Sequence, residues 1–145
     1  MKVIETELEM RATPERVWSV LTEFGRYPIW NPFIREITGE LILDARLSVR
    51  IALPGGRPMT FRPKLTRVSP AEELCWLGRL ILPGLFDGEH RFRLSAGPDG
   101  TVRFSQAERF RGVLVGLLPG SFYARTRRGF EAMNQALKRE AEKRG

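Results

Sequence analysis

The sequence predicts an α+β fold in which a meander of antiparallel strands is crossed by one long C-terminal helix. Three observations carry this expectation. From Phe33 to Phe110 strand-like segments follow one another, separated by PGG (54–56), SPAEE (69–73), PG (83–84) and GPDG (97–100), which is turn chemistry. Beyond Pro119-Gly120-Ser121 the apolar period becomes helical and holds to about Lys143. Ahead of both stands one strand and a short helix.

In chain order, residues 2–10 form an imperfect strand in which Val3, Leu8 and Met10 mix with Lys2, Glu7 and Glu9. In ATPERVWSVLTEFG, Thr13 suits an N-cap, Pro14 the first helical position and Glu15 the positive end of the dipole. Val17, Leu21 and Phe24 recur at helical spacing with Trp18 beside them, and Gly25 is a candidate stop. RYPIWNPFIREI (26–37) follows, where Pro28 and Pro32 leave room for one short turn of helix. Strands are expected near 33–40, 44–53, 58–68, 72–81, 86–96 and 101–110. On the final helix Phe122, Thr126, Phe130, Met133, Leu137 and Ala141 make a buried ridge, and Arg125, Arg127, Arg128, Glu131, Lys138 and Arg139 face water. At about 1.5 Å per residue the helix crosses the whole sheet.

The bulk properties narrow the function classes. A chain of 145 residues with 42% hydrophobic and 28% charged residues is one globular domain able to bury a core. No apolar run spans a bilayer, no signal-peptide core precedes the first strand, and Cys75 is alone, so a reducing, cytoplasmic setting is expected. Net charge is +7, and from Arg111 onward eight Lys or Arg face three Glu. With 20 Arg against 4 Lys, this reads as an arginine-rich surface habit rather than a nucleic-acid footprint. The arginines lack the interleaved aromatics of a single-strand platform, so no nucleic-acid partner is expected.

ATPERVWSVLTEFGRYPIWNPF, ELCWLGRL with LFDGEHRFRL, and GTVRFSQAERFRGVL with FEAMNQALK together resemble the SRPBCC (START-related, polyketide cyclase/dehydrase-like) superfamily over nearly the full chain. The resemblance implies a helix-grip fold: a seven-stranded curved antiparallel sheet around the long helix, two short helices after the first strand, and a cavity between. It implies that Tyr27, Trp30 and Phe33 close one end of that cavity, with Asn31 capping backbone. The superfamily carries lipid binders, transfer proteins, cyclases and dehydratases on one scaffold, so it does not choose among them.

No GxSxG, P-loop, HExxH or CxxC pair is present, and a single histidine cannot build a His-rich site, so no metal or cofactor is expected. What remains is a pocket constellation. Val102, Phe104, Gln106, Glu108 and Phe110 alternate onto the core face of one strand, and His90, Phe92 and Leu94 onto that of its neighbour. His90 then lies opposite Gln106 or Glu108, as a register-fixing pair, a ligand anchor or a proton-transfer pair. Periodicity leaves open whether Trp76 or Cys75 faces the same way, since a change of hairpin length swaps faces; the resemblance favours Trp76. On the helix, Gly129 with Ala132 and Ala136 is a small-residue stripe that either lets the sheet approach or leaves room for a ligand, and Asn134 lies on the same side. A cavity of at least roughly 300 Å³ is expected, bounded by Trp30, Phe92, Phe104 and Phe130.

The apolar loops 80–86 and 112–120 lie near the entrance implied by the fold. They are a gate, a lip in transient contact with an anionic membrane, or a subunit interface, the chain being a monomer or weak homodimer. The leading function is binding or carriage of a hydrophobic or amphipathic small molecule (lipid, polyketide or isoprenoid-like). Trp30, Phe33, Trp76, Phe92, Phe104, Gly129, Phe130 and Met133 would line its site, and His90, Gln106, Glu108 and Asn134 would meet its polar end. The alternatives are a cyclase/dehydratase-type enzyme acting on a carbonyl compound, and an accessory interaction domain without ligand.

Overall fold

Thr13 starts the first helix as its chemistry requires: its side-chain oxygen accepts from the Arg16 amide, with Pro14 at the first position. The computed structural model describes residues 1–80 and 82–143. Strand β1 (Lys2–Met10) leads into α1 (Pro14–Thr22), a 3₁₀ turn (Phe24–Arg26) and the single turn α2 (Tyr27–Trp30). The helix ends before Phe24 rather than at Gly25, because the tighter 3₁₀ turn takes over at Glu23. β2 (Ile34–Thr38), β3 (Ser48–Ile51), β4 (Met59–Phe61), β5 (Lys64–Ser69), β6 (Glu73–Leu80), β7 (Phe86–Ala96) and β8 (Val102–Arg111) follow, and α3 (Gly120–Glu142) closes the chain. The expected strand end at Ile81 lies outside the described residues.

All strand pairings are antiparallel. Five strands form one sheet in the order β1-β8-β7-β6-β5, and β2-β3-β4 form a second. Here the structure departs from the expected seven strands in one sheet. The segment expected as a single strand, 58–68, is two, broken at Arg62-Pro63. Proline has no amide hydrogen to donate to a ladder, so the strand bends there and passes from one sheet to the other. The sheets stay stitched at the bend: the Leu47 amide donates to Pro63 O and the Leu65 amide to Ala45 O, both at 2.9 Å.

The 23-residue α3 lies along the concave side, packed on β1 and β8, with α1 against its C-terminal half. Thr126, Phe130, Met133, Leu137 and Ala141 are buried as expected, together with Tyr123, Gly129, Asn134 and Ala136, whereas Phe122 is only partly buried. Ala132 is exposed, so the small-residue stripe reduces to Gly129 and Ala136. The helix end is tied down by ions and carbonyls. Glu142 accepts from the Arg11 amide and from Lys138, which together hold its carboxyl below the usual range, and Arg16 donates to the carbonyls of Glu140 and Ala141. Among the described residues no helix is long and apolar enough to cross a membrane.

Candidate ligand pocket

Register places the inward residues of β6, β7, β8 and β1 in rows. One row is Leu74, Phe92, Gln106 and Thr6; the next is Trp76, His90, Glu108 and Ile4; the next is Gly78, Gly88, Phe110 and Lys2. The first two rows fill the space beneath α3. Trp76 stacks on His90 (centroids 5.2 Å apart), and His90 packs against Phe92 at 4.6 Å and Phe130 at 5.0 Å. Trp76 therefore faces inward. The connection between β6 and β7 is longer than two residues, and Cys75 falls on the outer face.

One row further the interior is hollow. Gly78 and Gly88 face each other across two strands with no side chain to offer, and a cavity of about 270 Å³ opens above them. Its wall is Phe33, Ile51, Leu53, Met59, Phe61, Phe86, Phe110, Leu114, Leu118 and Phe122, with Glu108 and Thr126 as its two polar side chains. Both glycines hold their places by close approach. A Cβ on Gly88 would stand 2.3 Å from Glu108 Oε2, and one on Gly78 would stand 3.3 Å from the Phe61 ring. A larger depression of about 610 Å³ lies on the outer side of the sheet, where the charged side chains of Asp44, Arg46, Lys64 and Arg79 share its wall with Leu43, Leu77 and Pro83.

Behind the cavity runs a buried hydrogen-bond chain. Glu108 Oε1 lies 3.1 Å from His90 Nδ1, and His90 Nε2 lies 2.9 Å from Gln106 Oε1. Gln106 Nε2 donates to Asn134 Oδ1 at 2.7 Å, and Asn134 Nδ2 donates to Thr6 Oγ1 at 2.8 Å. Two backbone carbonyls fix the directions: Gln106 Nε2 also donates to Phe130 O, and Thr6 Oγ1 donates to Gln106 O. Gln106 Oε1 is thus an acceptor, so His90 Nε2 carries a hydrogen. A proton must also lie between His90 Nδ1 and Glu108 Oε1, since two bare acceptors would not sit 3.1 Å apart. The arrangement is either imidazolium with carboxylate or imidazole with carboxylic acid. His90 is 1% exposed and the Glu108 side chain 15%, so only the carboxyl end of the chain reaches the cavity.

The residues named from sequence divide between these regions. Phe33 and Glu108 stand in the cavity wall. Trp76, His90, Phe92, Phe104, Gln106, Phe130, Met133 and Asn134 are buried in the packed region behind it. Trp30 is half-buried against Tyr27 at 5.1 Å and does not bound the cavity. The expected boundary of Trp30, Phe92, Phe104 and Phe130 is therefore displaced toward the start of α3, and the volume falls slightly below expectation. Gly129 leaves no open room: a Cβ there would meet the Phe33 ring at 2.5 Å, so the glycine admits an aromatic side chain of the protein itself. Asn31 caps as expected, its Oδ1 accepting from the amides of Phe33 (2.9 Å) and Ile34 (2.8 Å), which fixes Phe33 over the cavity. Tyr27 donates to Leu21 O, and full burial pushes its hydroxyl far above the ordinary range.

Sequence reasoning missed Gly78 and Gly88. Their signal was present, since glycine inside a strand marks close approach or a ligand. The apolar loops also resolve by alternation: Leu114 and Leu118 line the cavity, whereas Val113, Leu117 and Leu82 point outward and are exposed. The two loops are joined by amides of Val113 and Leu114 donating to Gly84 O and Leu85 O. Ile81, part of the expected entrance loop, lies outside the described residues. On the outer face burial, with Glu73 beside it, pushes the Cys75 thiol up to about 12, so it remains protonated and unreactive. Glu73 itself is raised by burial but, on balance, held low by Arg93 and Arg67.

A curved antiparallel sheet gripping a helix over an apolar cavity defines the helix-grip class of hydrophobic-ligand domains. The chain belongs to the family described as polyketide cyclase / dehydrase and lipid transport, which it matches over residues 1–142. No curated protein matches the sequence. Among solved structures, a hypothetical protein of Helicobacter pylori is similar with a TM-score of 0.80 at 14% identity, over 97% of this chain and 88% of that one. A START superfamily protein of Mycobacterium smegmatis is similar with a TM-score of 0.73 at 17% identity, over 97% of both chains. A protein of Thermus thermophilus gives 0.76 at 10% identity, again over 97% of both. At these identities the likeness is one of fold.

Proposed function

We propose that the chain is a single helix-grip domain that binds one small apolar or amphipathic molecule in the cavity above Gly78 and Gly88. The observation that carries this reading is the hollow itself: ten apolar side chains line a space where the neighbouring rows of the same sheet place buried side chains. Burying an apolar guest there gains about 25 cal/mol per Å² removed from water. The family description, which includes lipid transport, supports the same class of guest. At about 30 Å³ per water-sized group the volume suits roughly ten non-hydrogen atoms, well short of a two-chain lipid.

The test is uptake of 1-aminonaphthalene, an uncharged environment-sensitive dye of about eleven non-hydrogen atoms that matches the cavity volume, followed by fluorescence, with native mass spectrometry of the freshly purified protein for any co-purified guest. Saturable one-to-one binding is expected. Gly78→Leu should abolish it by filling the floor, with circular dichroism showing the variant folded. A folded Gly78→Leu protein that takes up dye like the wild type would reject this site.

An acid–base enzyme of the cyclase/dehydratase type is the second reading, and one observation favours it. Glu108 reaches the cavity while holding a proton jointly with His90. Any proton taken from a guest would go to Glu108 Oε2, because His90 is sealed behind it.

A further inference from the structure

We infer that the cavity selects guests whose polar end donates a hydrogen bond, such as an alcohol or phenol, and rejects carboxylates such as fatty acids. This rests on the reading of the cavity as a ligand site and names the head group that site accepts. Among the described residues its wall contains two polar side chains, and both present acceptors only. Thr126 gives its hydroxyl hydrogen to Phe122 O at 2.8 Å, which leaves lone pairs for the cavity. Glu108 is subtler. Its Oε1 is tied to His90 Nδ1 through the shared proton, whichever partner holds it. Its Oε2 is then either a carboxylate oxygen or the carbonyl oxygen of an acid whose hydrogen points at His90. In both arrangements Oε2 accepts and cannot donate.

The rest of the molecule keeps Oε2 in this role. Gly88 lacks the Cβ that would stand 2.3 Å from it, so the space beside Oε2 is kept clear by sequence. The shared proton stays between Nδ1 and Oε1, because the Nε2–H bond to Gln106 Oε1 fixes the imidazole ring, and Gln106 is in turn held by Asn134 and the Phe130 carbonyl. Lys2 shares the row of Phe110 but lies over the Tyr123 ring, 5.2 Å from its centroid, and is not in the wall. Trp76 Nε1 has no partner, but Trp76 stands in the packed row and not in the wall. A carboxylate guest would therefore bury acceptors against acceptors, whereas an alcohol completes Glu108. A site arranged in this way discriminates strongly against the analogue that leaves its polar groups unpaired.

The experiment is isothermal titration of the full chain with 1-decanol, decanoate and 1-methoxydecane, which share a ten-carbon body and differ in the head. Decanol is expected to bind at least about tenfold more tightly than decanoate, and more tightly than methoxydecane, whose neutral head accepts but does not donate. Glu108→Leu should bring the decanol-to-methoxydecane ratio to about one. Glu108→Gln should keep the alcohol preference, with its amide nitrogen turned to His90 and its oxygen to the cavity. Equal binding of all three guests, or tighter binding of decanoate, would overturn the inference while leaving the ligand site standing. Absence of binding by every guest would overturn both. The wild-type series alone decides the matter if Glu108→Leu does not fold.

Discussion

Trp76 with His90, and Gly78 with Gly88, are successive pairs on one face of the same two strands, and they make opposite kinds of interior. The first pair, with Phe92, Phe104, Phe130 and Met133, fills the space under α3 with stacked rings. The second leaves it empty, walled by Phe86, Phe110 and Phe122 from the sides. The difference is not one of hydrophobicity, since both regions are apolar. It lies in side-chain volume at two facing positions, and in where the chain must spend polar groups. Glu108 marks the boundary, with one oxygen committed to the packed side and the other to the hollow.

The contrast breaks most readily on stability. Phe104→Ala in the packed half should cost about 3–5 kcal/mol in chemical denaturation, because fully buried neighbours cannot collapse into the void. Leu118→Ala, at the edge of an existing cavity, should cost about 1 kcal/mol or less. Equal costs would mean the two halves are packed alike.

The polar chain gives the next largest effect. His90→Phe should cost about 3 kcal/mol, since it leaves Gln106 Oε1 and Glu108 Oε1 without their hydrogen-bond partner. Adding Glu108→Leu should restore about 1 kcal/mol, read as a coupling in a double-mutant cycle. Additive losses would show that the pair is not a unit.

Smaller again are the glycines. Gly88→Ala pushes its methyl into Glu108 Oε2 and should weaken dye uptake about tenfold, or ~1.4 kcal/mol. Gly78→Ala meets the Phe61 ring at 3.3 Å and Pro63 Cβ at 3.8 Å, no closer, and should change uptake by less. The reverse order, measured by the same titration, would place the guest nearer β6 than Glu108.

The smallest effect concerns the outer face. Cys75, one residue from Trp76 but behind it, should react with a thiol reagent at pH 8 on the order of a thousandfold more slowly than in the unfolded chain, and dye should leave that rate unchanged. Its folded value of about 12 exceeds the unfolded value of about 8.5, so the unfolded state loses the proton first. Stability should therefore fall as pH rises from about 8.5, and Cys75→Ala should flatten that fall below about pH 10, where buried Tyr27 does not yet add its own loss.

Much of this was legible in the chain. Thr13-Pro14 starts a helix through local hydrogen-bond chemistry, Pro28 and Pro32 limit the next to one turn, and the ridge on α3 follows from its period. Asn31 caps as its side chain suggests. Alternation put His90, Gln106 and Glu108 on one face before any pairing was known, and the resemblance of the local motifs placed the chain in its superfamily. The bend at Pro63 was readable too, since proline cannot donate to a ladder, yet the strand-like residues on both sides, Met59 to Phe61 and Leu65 to Val68, read as one continuous segment.

The sequence by itself determined the elements, their inward faces and the family, because these depend on local conformation and on period. Only the tertiary structure decided which inward residues touch one another and which enclose space. The length of one hairpin turned Trp76 rather than Cys75 inward, and register set Gly78 against Gly88. The ring of Phe33 took the room left at Gly129, moving the hollow away from the residues that looked most suited to line it. Cavities are made by the absence of side chains at positions distant in the chain, and a sequence records absence only where pairing brings two such positions together.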